Sequence, residues 1–318
     1  MRIGKPSVVF TGLCSLIFFS NTARAFDVEA AYGQRDGEVA YQIGGSVTPS
    51  NGESYRIRFP ISELRFPINT KVANIVLFLP LDDRWTLTVA VVETVSSNSG
   101  KMIDSDWGIK YYLADPNAMR DSLDIYSESQ LQMNGRDFSL EAFKKVSFVG
   151  YEDWNIELGG GALQQKYDFT AGNTLEEYPS TPTASPIYIA GETIKYEYQS
   201  KMLYVAFKTT RHLSEKYHLS FYGAYSPKVI ISDFDNHLLR DKTATGSSEG
   251  WGGQYKAAFI RSLSKNSEIF VQARYQKTVA NGIQTQRSNE TGVYTETDIG
   301  LRNINVQKSL SVGASIEF

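Results

Sequence analysis

The carboxy-terminal stretch constrains the fold more than any other. Leu310, Val312, Ala314, Ile316 and Phe318 alternate with Ser311, Gly313, Ser315 and Glu317, and the chain ends on the aromatic residue. Alternation of this kind puts one set of side chains on each face of a strand. A last strand closing on an aromatic residue is the usual mark of outer-membrane barrels. The same period recurs upstream. Trp85, Leu87, Val89 and Val91 oppose Thr86, Thr88 and Ala90, while Ile269, Val271, Ala273 and Tyr275 oppose Gln272, Arg274 and Gln276. Long helical patterns are missing, and 19 Tyr with 17 Phe supply the aromatic content. Such segments, apolar outward and polar inward, indicate a transmembrane β-barrel. In lipid only a closed barrel satisfies every backbone group of a sheet.

The amino-terminal segment reads as an export signal. Arg2 and Lys5 give a positive start, Val8 to Phe19 is a short apolar run, and Ala23-Arg24-Ala25 is an A-x-A cleavage pattern. About a dozen apolar residues fall short of the roughly 20 that a membrane helix needs. The expected organisation is a signal peptide over 1–25 and one barrel domain over 26–318. The only cysteine, Cys14, lies inside the signal, so disulfide and thiol chemistry are excluded from the mature chain. Removing the signal takes away Arg2, Lys5 and Arg24 and no acid, which leaves 29 basic against 35 acidic residues, a net charge of −6. That balance argues against a nucleic-acid partner and suits a basic one.

Connection lengths set the topology. The pattern predicts ten strands near 27–45, 54–80, 85–98, 130–148, 153–171, 191–209, 216–231, 251–262, 267–280 and 296–318. Tight links (81–84, 150–152, 210–215, 263–266) alternate with long ones (46–53, 99–129, 172–190, 232–250, 281–295). The class is therefore an all-β, ten-stranded antiparallel barrel with short periplasmic turns and long extracellular loops. Several strands exceed the about 9–11 residues of a membrane crossing, so a rim should stand above the membrane.

Two acidic clusters fall on that rim. Asp104 and Asp106 sit where the third strand enters a long loop. Asp233, Asp235 and His237 sit at every second position where the seventh enters another. Spacing by two puts each set on one face, and strands three and seven of a ten-membered ring lie across the lumen. Acidic turn residues are the plain alternative for such patterns. His218 reads as a lumen hydrogen-bonding group, His212 lies at a periplasmic turn, and Asp82 and Asp83 occupy a tight turn. No metal-ligand cluster or phosphate loop is present, and no cofactor is expected.

Gly100-Lys-Met-Ile-Asp-Ser-Asp-Trp107 resembles the G-N-M-V-D-Q-D-W of the omptin family of outer-membrane endopeptidases. Ser232-Asp-Phe-Asp-Asn-His237 resembles that family's S-D-N-D-E-H, with support from Leu158–Thr170, Lys201-Met-Leu-Tyr204 and Gly37-Glu-Val-Ala-Tyr41. The resemblance implies a water held between the Asp104/Asp106 couple and an Asp235–His237 dyad. It also implies an acidic pocket for a basic side chain, formed by Glu38 and Asp233, and a second-pocket acid at Asp121 or Asp124. Cationic peptides would be the substrates. The 99–130 stretch, with six Asp/Glu against three Lys/Arg, fits that charge. Two departures stand out. Asn236 replaces a glutamate, and Asn155 and Gln199 stand where omptins commonly carry arginines that hold lipopolysaccharide, which puts dependence on that lipid in question. The competing reading is a non-enzymatic barrel: an adhesin, a structural protein or a narrow pore. A lipid A-modifying barrel would need a Ser/His site at membrane level, and none is visible on the outward face.

Overall fold

A computed structural model describes residues 25–50, 52–108, 122–146, 154–289, 292 and 294–318. Residues 1–24 of the expected signal peptide (1–25), the expected turn at 150–152 and Asp121 lie outside the described residues. Among those described there are twelve strands: β1 (Asp27–Pro49), β2 (Tyr55–Arg56), β3 (Ser62–Pro80), β4 (Trp85–Thr94), β5 (Asn98–Trp107), β6 (Leu123–Val146), β7 (Trp154–Glu177), β8 (Ile187–His212), β9 (Tyr217–His237), β10 (Lys242–Ser264), β11 (Ser267–Ser288) and β12 (Thr295–Glu317).

The twelve reduce to ten barrel positions. β4 and β5 share one position. β4 pairs with Val72–Pro80 of β3 and the lower part of β6, whereas β5 pairs with Ser62–Arg65 of β3 and the upper part of β6. β2 is a two-residue annex on the end of β1. Every pairing is antiparallel, and β1 joins both β3 and β12, so the sheet closes on itself. Closure leaves no long unpaired edge, which lipid would not tolerate.

The strands are longer than the hydrophobic pattern indicates. The expected loops at 172–190, 232–250 and 281–295 shrink to the connections 178–186, 238–241 and 289–294. Likewise 54–80 is not one strand but the annex and β3, and 85–98 becomes β4 plus the start of β5. The cause is physical. Near the tight turns the outward side chains are apolar, so Leu203 is 73 % exposed while its neighbour Tyr204 is 6 % exposed. Farther up, outward positions such as Lys195, Glu197 and Ser232 face water instead of lipid, and the alternation fades while the backbone ladder continues.

Side chains fill the lumen at mid-height. Arg35 and Asp137 form an ion pair at 2.9 Å, both almost fully buried. The Tyr167 hydroxyl donates to Asp137 at 2.8 Å and accepts from Gln165 and Gln307, each at 2.7 Å. An aromatic layer lies above, with Phe66 stacked on Tyr196 at 4.4 Å and Phe169 packed against both. Below the polar layer, a cavity of about 410 Å³ at the tight-turn end is lined by Glu141, Lys256, Arg274 and His218 among others. His218 Nε2 lies 3.1 Å from Ser262 Oγ, and His212 packs on its ring at 4.5 Å.

Candidate active site

The floor of the upper cleft is the aromatic layer, and its walls are strand ends. On β5 the inward positions are Met102, Asp104 and Asp106, all buried, while Lys101 and Ser105 turn away. Pairing fixes this orientation from both sides: Asp104 lies opposite Leu64 of β3 and Ser127 of β6. On β9 the inward positions are Ile231, Asp233, Asp235 and His237. This segment is a strand to its last residue, not the start of a long loop. Its ladder runs to Lys242 on β10 and Ile194 on β8, both opposite His237.

Asp235 is fully buried, and its Oδ2 lies 3.1 Å from Nε2 of His237. The same oxygen accepts a hydrogen bond from the hydroxyl of Tyr41, which reaches it from β1 across the lumen. Burial alone would raise the Asp235 pKa. The charge and hydrogen bond of His237, the Tyr41 hydroxyl and Lys242 outweigh burial and hold it below the ordinary carboxylate value.

The couple on β5 behaves in the opposite way. Burial raises Asp104 well above the ordinary range; the neighbouring Asp106 and the facing Asp235 add to this, and Arg240 and Lys242 oppose it. Asp106 is also raised by burial, against the Ser62 hydroxyl and the charges of Lys242, Arg240 and His237. Asp104 is thus within electrostatic reach of Asp235, and Asp106 of His237. Two neighbouring carboxyls that both resist ionisation can share a proton. Opposite stands an ionised carboxylate with an imidazole. This arrangement can accept a proton on one side and donate one on the other.

Asp233 sits deeper, 4 % exposed. Its Oδ2 accepts from Nδ2 of Asn303 at 2.9 Å, and that amide also donates to Ser248 at 3.1 Å. Burial is the main cause that lifts its pKa to about 6, with Asn303 opposing. Gly246 faces it directly, and a Cβ there would lie 2.6 Å from Cγ of Asp233.

Glu38 does not join Asp233. Inward positions of β1 are Arg35, Val39 and Tyr41, so the even-numbered Glu38 falls on the outer face. There it accepts from Arg65 Nη2 at 2.8 Å and Nε at 3.1 Å, with Glu63 3.6 Å from the same guanidinium. Glu38 carries the residue type that the resemblance calls for, but the pleat turns it outward. Asp124 is buried at an irregularity of β6 and accepts from Ser122 at 3.3 Å. Gln199 is outward, beside Lys166 of β7, but Asn155 lies at the tight-turn end opposite Thr210. The two therefore belong to different levels of the barrel and cannot mark one lipid site.

Tyr41, Asn303, Gly246 and Ser62 were not picked out by sequence reasoning. Asn303 had a usable signal: Asn303, Asn305 and Gln307 place amides at every second position of the last strand, which is how a polar lumen reads.

Comparisons with known proteins bear on the family and the fold. A model of the omptin family matches residues 60–318, which includes Asp104, Asp106 and the whole of β9. A search of curated proteins returned no match. Among solved structures, the outer membrane protease OmpT from Escherichia coli aligns with a TM-score of 0.72 at 16 % identity, over 94 % of this chain and 99 % of that one. The translocator domain of the autotransporter NalP from Neisseria meningitidis aligns at 0.38 and 9 % identity, over 97 % and 93 %. The outer membrane protein OprG from Pseudomonas aeruginosa aligns at 0.36 and 8 % identity, over 93 % and 96 %.

Proposed function

The chain belongs to the omptin family, and we propose that it is an outer-membrane endopeptidase that cuts extracellular polypeptides at basic residues with an activated water. The observation that carries this reading is the hydrogen-bonded Asp235–His237 pair with the buried Asp104/Asp106 couple within its electrostatic reach. Imidazole is the one side chain whose unperturbed pKa suits a base near neutrality. Asp235 holds its tautomer and stabilises the imidazolium, as a triad aspartate does. His237 takes the proton of a water lodged between the walls. The proton shared by Asp104 and Asp106 goes to the tetrahedral oxygen or the leaving amine. No metal is required by this sequence of steps.

Selection of a basic side chain falls to Asp233, because Glu38 is engaged by Arg65 on the outer face. A carboxylate in a nearly dry pocket prefers arginine or lysine through charge-assisted hydrogen bonds. The net charge of the exported chain favours the approach of cationic peptides. The cleft lies at the end of the barrel away from the tight turns, which in outer-membrane barrels is the extracellular end. Just above the apolar belt, Lys166 and Lys201 project outward on the adjacent strands β7 and β8 and suit lipopolysaccharide phosphates even with Gln199 in place of an arginine. The packed layers around Tyr167 and Phe66 count against a narrow pore.

The test is a fluorogenic peptide panel varying the residues around an Arg–Arg bond, on refolded protein with and without lipopolysaccharide. Cleavage at the basic bond is expected, stronger with the lipid. No cleavage of any peptide in either condition would refute the endopeptidase reading.

A further inference from the structure

Glu38 leaves the cleft, but the same stretch delivers Tyr41 into it. Tyr41 is 2 % exposed, and its ring packs on Tyr196 at 5.4 Å and Phe66 at 6.3 Å. Its hydroxyl donates to Oδ2 of Asp235, the oxygen that also faces Nε2 of His237. Tyr41 and Asn303 are direct partners across the β1–β12 ladder. Asn303 donates to Asp233, which is two residues from Asp235 on β9. One cross-strand pair on the β1–β12 wall therefore grips both buried acids of the opposite wall.

Resting on the endopeptidase reading, we propose that Tyr41 is the positioning residue of the Asp235–His237 pair: a phenol, delivered across the lumen, that fixes the carboxylate's rotation and takes part of its charge. The terminal torsion of an aspartate is soft, so a carboxylate held by imidazole alone samples several orientations. A second donor from a ring locked in an aromatic layer removes that freedom. The hydroxyl also takes part of the negative charge that the carboxylate would otherwise turn toward the imidazole. The other charged and titratable groups facing this pair are Asp104 and Asp106 from β5, Tyr196 from β8, Asp233 on β9 itself, Arg240 from the β9–β10 connection and Lys242 from β10. None of them changes in the test.

The test is Tyr41→Phe, which keeps the ring and removes only the hydroxyl. The His237 pKa is read by NMR titration of the labelled imidazole, and kinetics are read on an Arg–Arg peptide. The carboxylate that loses its phenol carries more charge toward the imidazole. The His237 pKa therefore rises, and the acidic limb of the kcat profile moves to higher pH. For a lost hydrogen bond to a charged group, kcat should fall about tenfold or more, with KM unchanged. In an Asp235→Asn background the added Tyr41→Phe should leave the His237 pKa where it is. An unchanged His237 pKa in the single variant, or a shift that persists in the Asp235→Asn background, overturns the proposal. The titration needs no turnover, so an inactive wild type would defeat the endopeptidase reading and leave this result readable. If Tyr41→Phe does not refold, the wild-type Tyr41 hydroxyl proton decides. A slowly exchanging downfield signal that moves in Asp235→Asn is expected, and its absence overturns the contact.

Discussion

Adding one methyl group at position 246 should separate substrate recognition from the fold. A Cβ built on Gly246 lies 2.6 Å from Cγ of Asp233 and closer still to both its oxygens. Real contacts of that length do not occur, so the buried Asp233 side chain has to give way. The carboxylate must rotate, which breaks its 2.9 Å hydrogen bond from Asn303 and takes it off the pocket axis. Losing a hydrogen bond to a charged group costs about 1.5–3 kcal/mol. At about 1.36 kcal/mol per factor of ten, Gly246→Ala should lower kcat/KM on an arginine-containing peptide roughly 10- to 150-fold. The loss should lie mainly in KM, since Asp235 and His237 are untouched. A matched control is Gly253→Ala on the same strand, where the nearest atom to the new Cβ is the Ala224 carbonyl oxygen at 3.4 Å, an acceptable contact. Both proteins should refold and show the same heat-modifiable mobility. Wild-type kcat/KM in Gly246→Ala would refute the placement of Asp233 in the recognition pocket.

Three further outcomes follow from the same geometry. Asp233 is held at a pKa of about 6, so KM for basic peptides should climb as pH falls through that value, and Asp233→Asn should show a weak, pH-independent KM. Burial and Asp106 raise Asp104, so the stability it contributes is full below its ordinary value and is lost as pH rises through the shifted one. Asp104→Asn should therefore unfold at a higher temperature than wild type in mildly alkaline detergent buffer, lose that advantage in acid, and be catalytically impaired. Asp137→Ala strands the buried Arg35 guanidinium, now 2.9 Å from that carboxylate, and should cost about 3–5 kcal/mol in denaturant unfolding, while Arg35→Met with Asp137→Leu should recover most of it.

The alternation of apolar side chains carried the barrel class, because lipid and lumen demand opposite chemistry from neighbouring residues. It carried the two acid clusters as well, since spacing by two guarantees a common face. The upper strands were not legible. Once outward residues such as Glu197, Ser232 and Ser247 meet water, nothing in their polarity separates strand from loop, and the pattern alone makes the connections longer than they are. Glu38 failed for a related reason. Parity along β1 is set by which residues its neighbours bury, and Val39 and Tyr41 claim the lumen, so a motif match fixes the residue type without fixing the face. Contacts across the lumen were out of reach altogether. Arg35 meets Asp137 over 102 residues and Tyr41 meets Asp235 over 194, and no local pattern encodes either meeting.

The most direct test of the hydrolytic cleft is kcat of refolded His237→Ala on an Arg–Arg peptide, beside wild type with the same barrel mobility. General-base catalysis is worth about 10²–10⁴ in rate, and a loss in that range is expected. Turnover equal to wild type would mean that the imidazole does not activate the water.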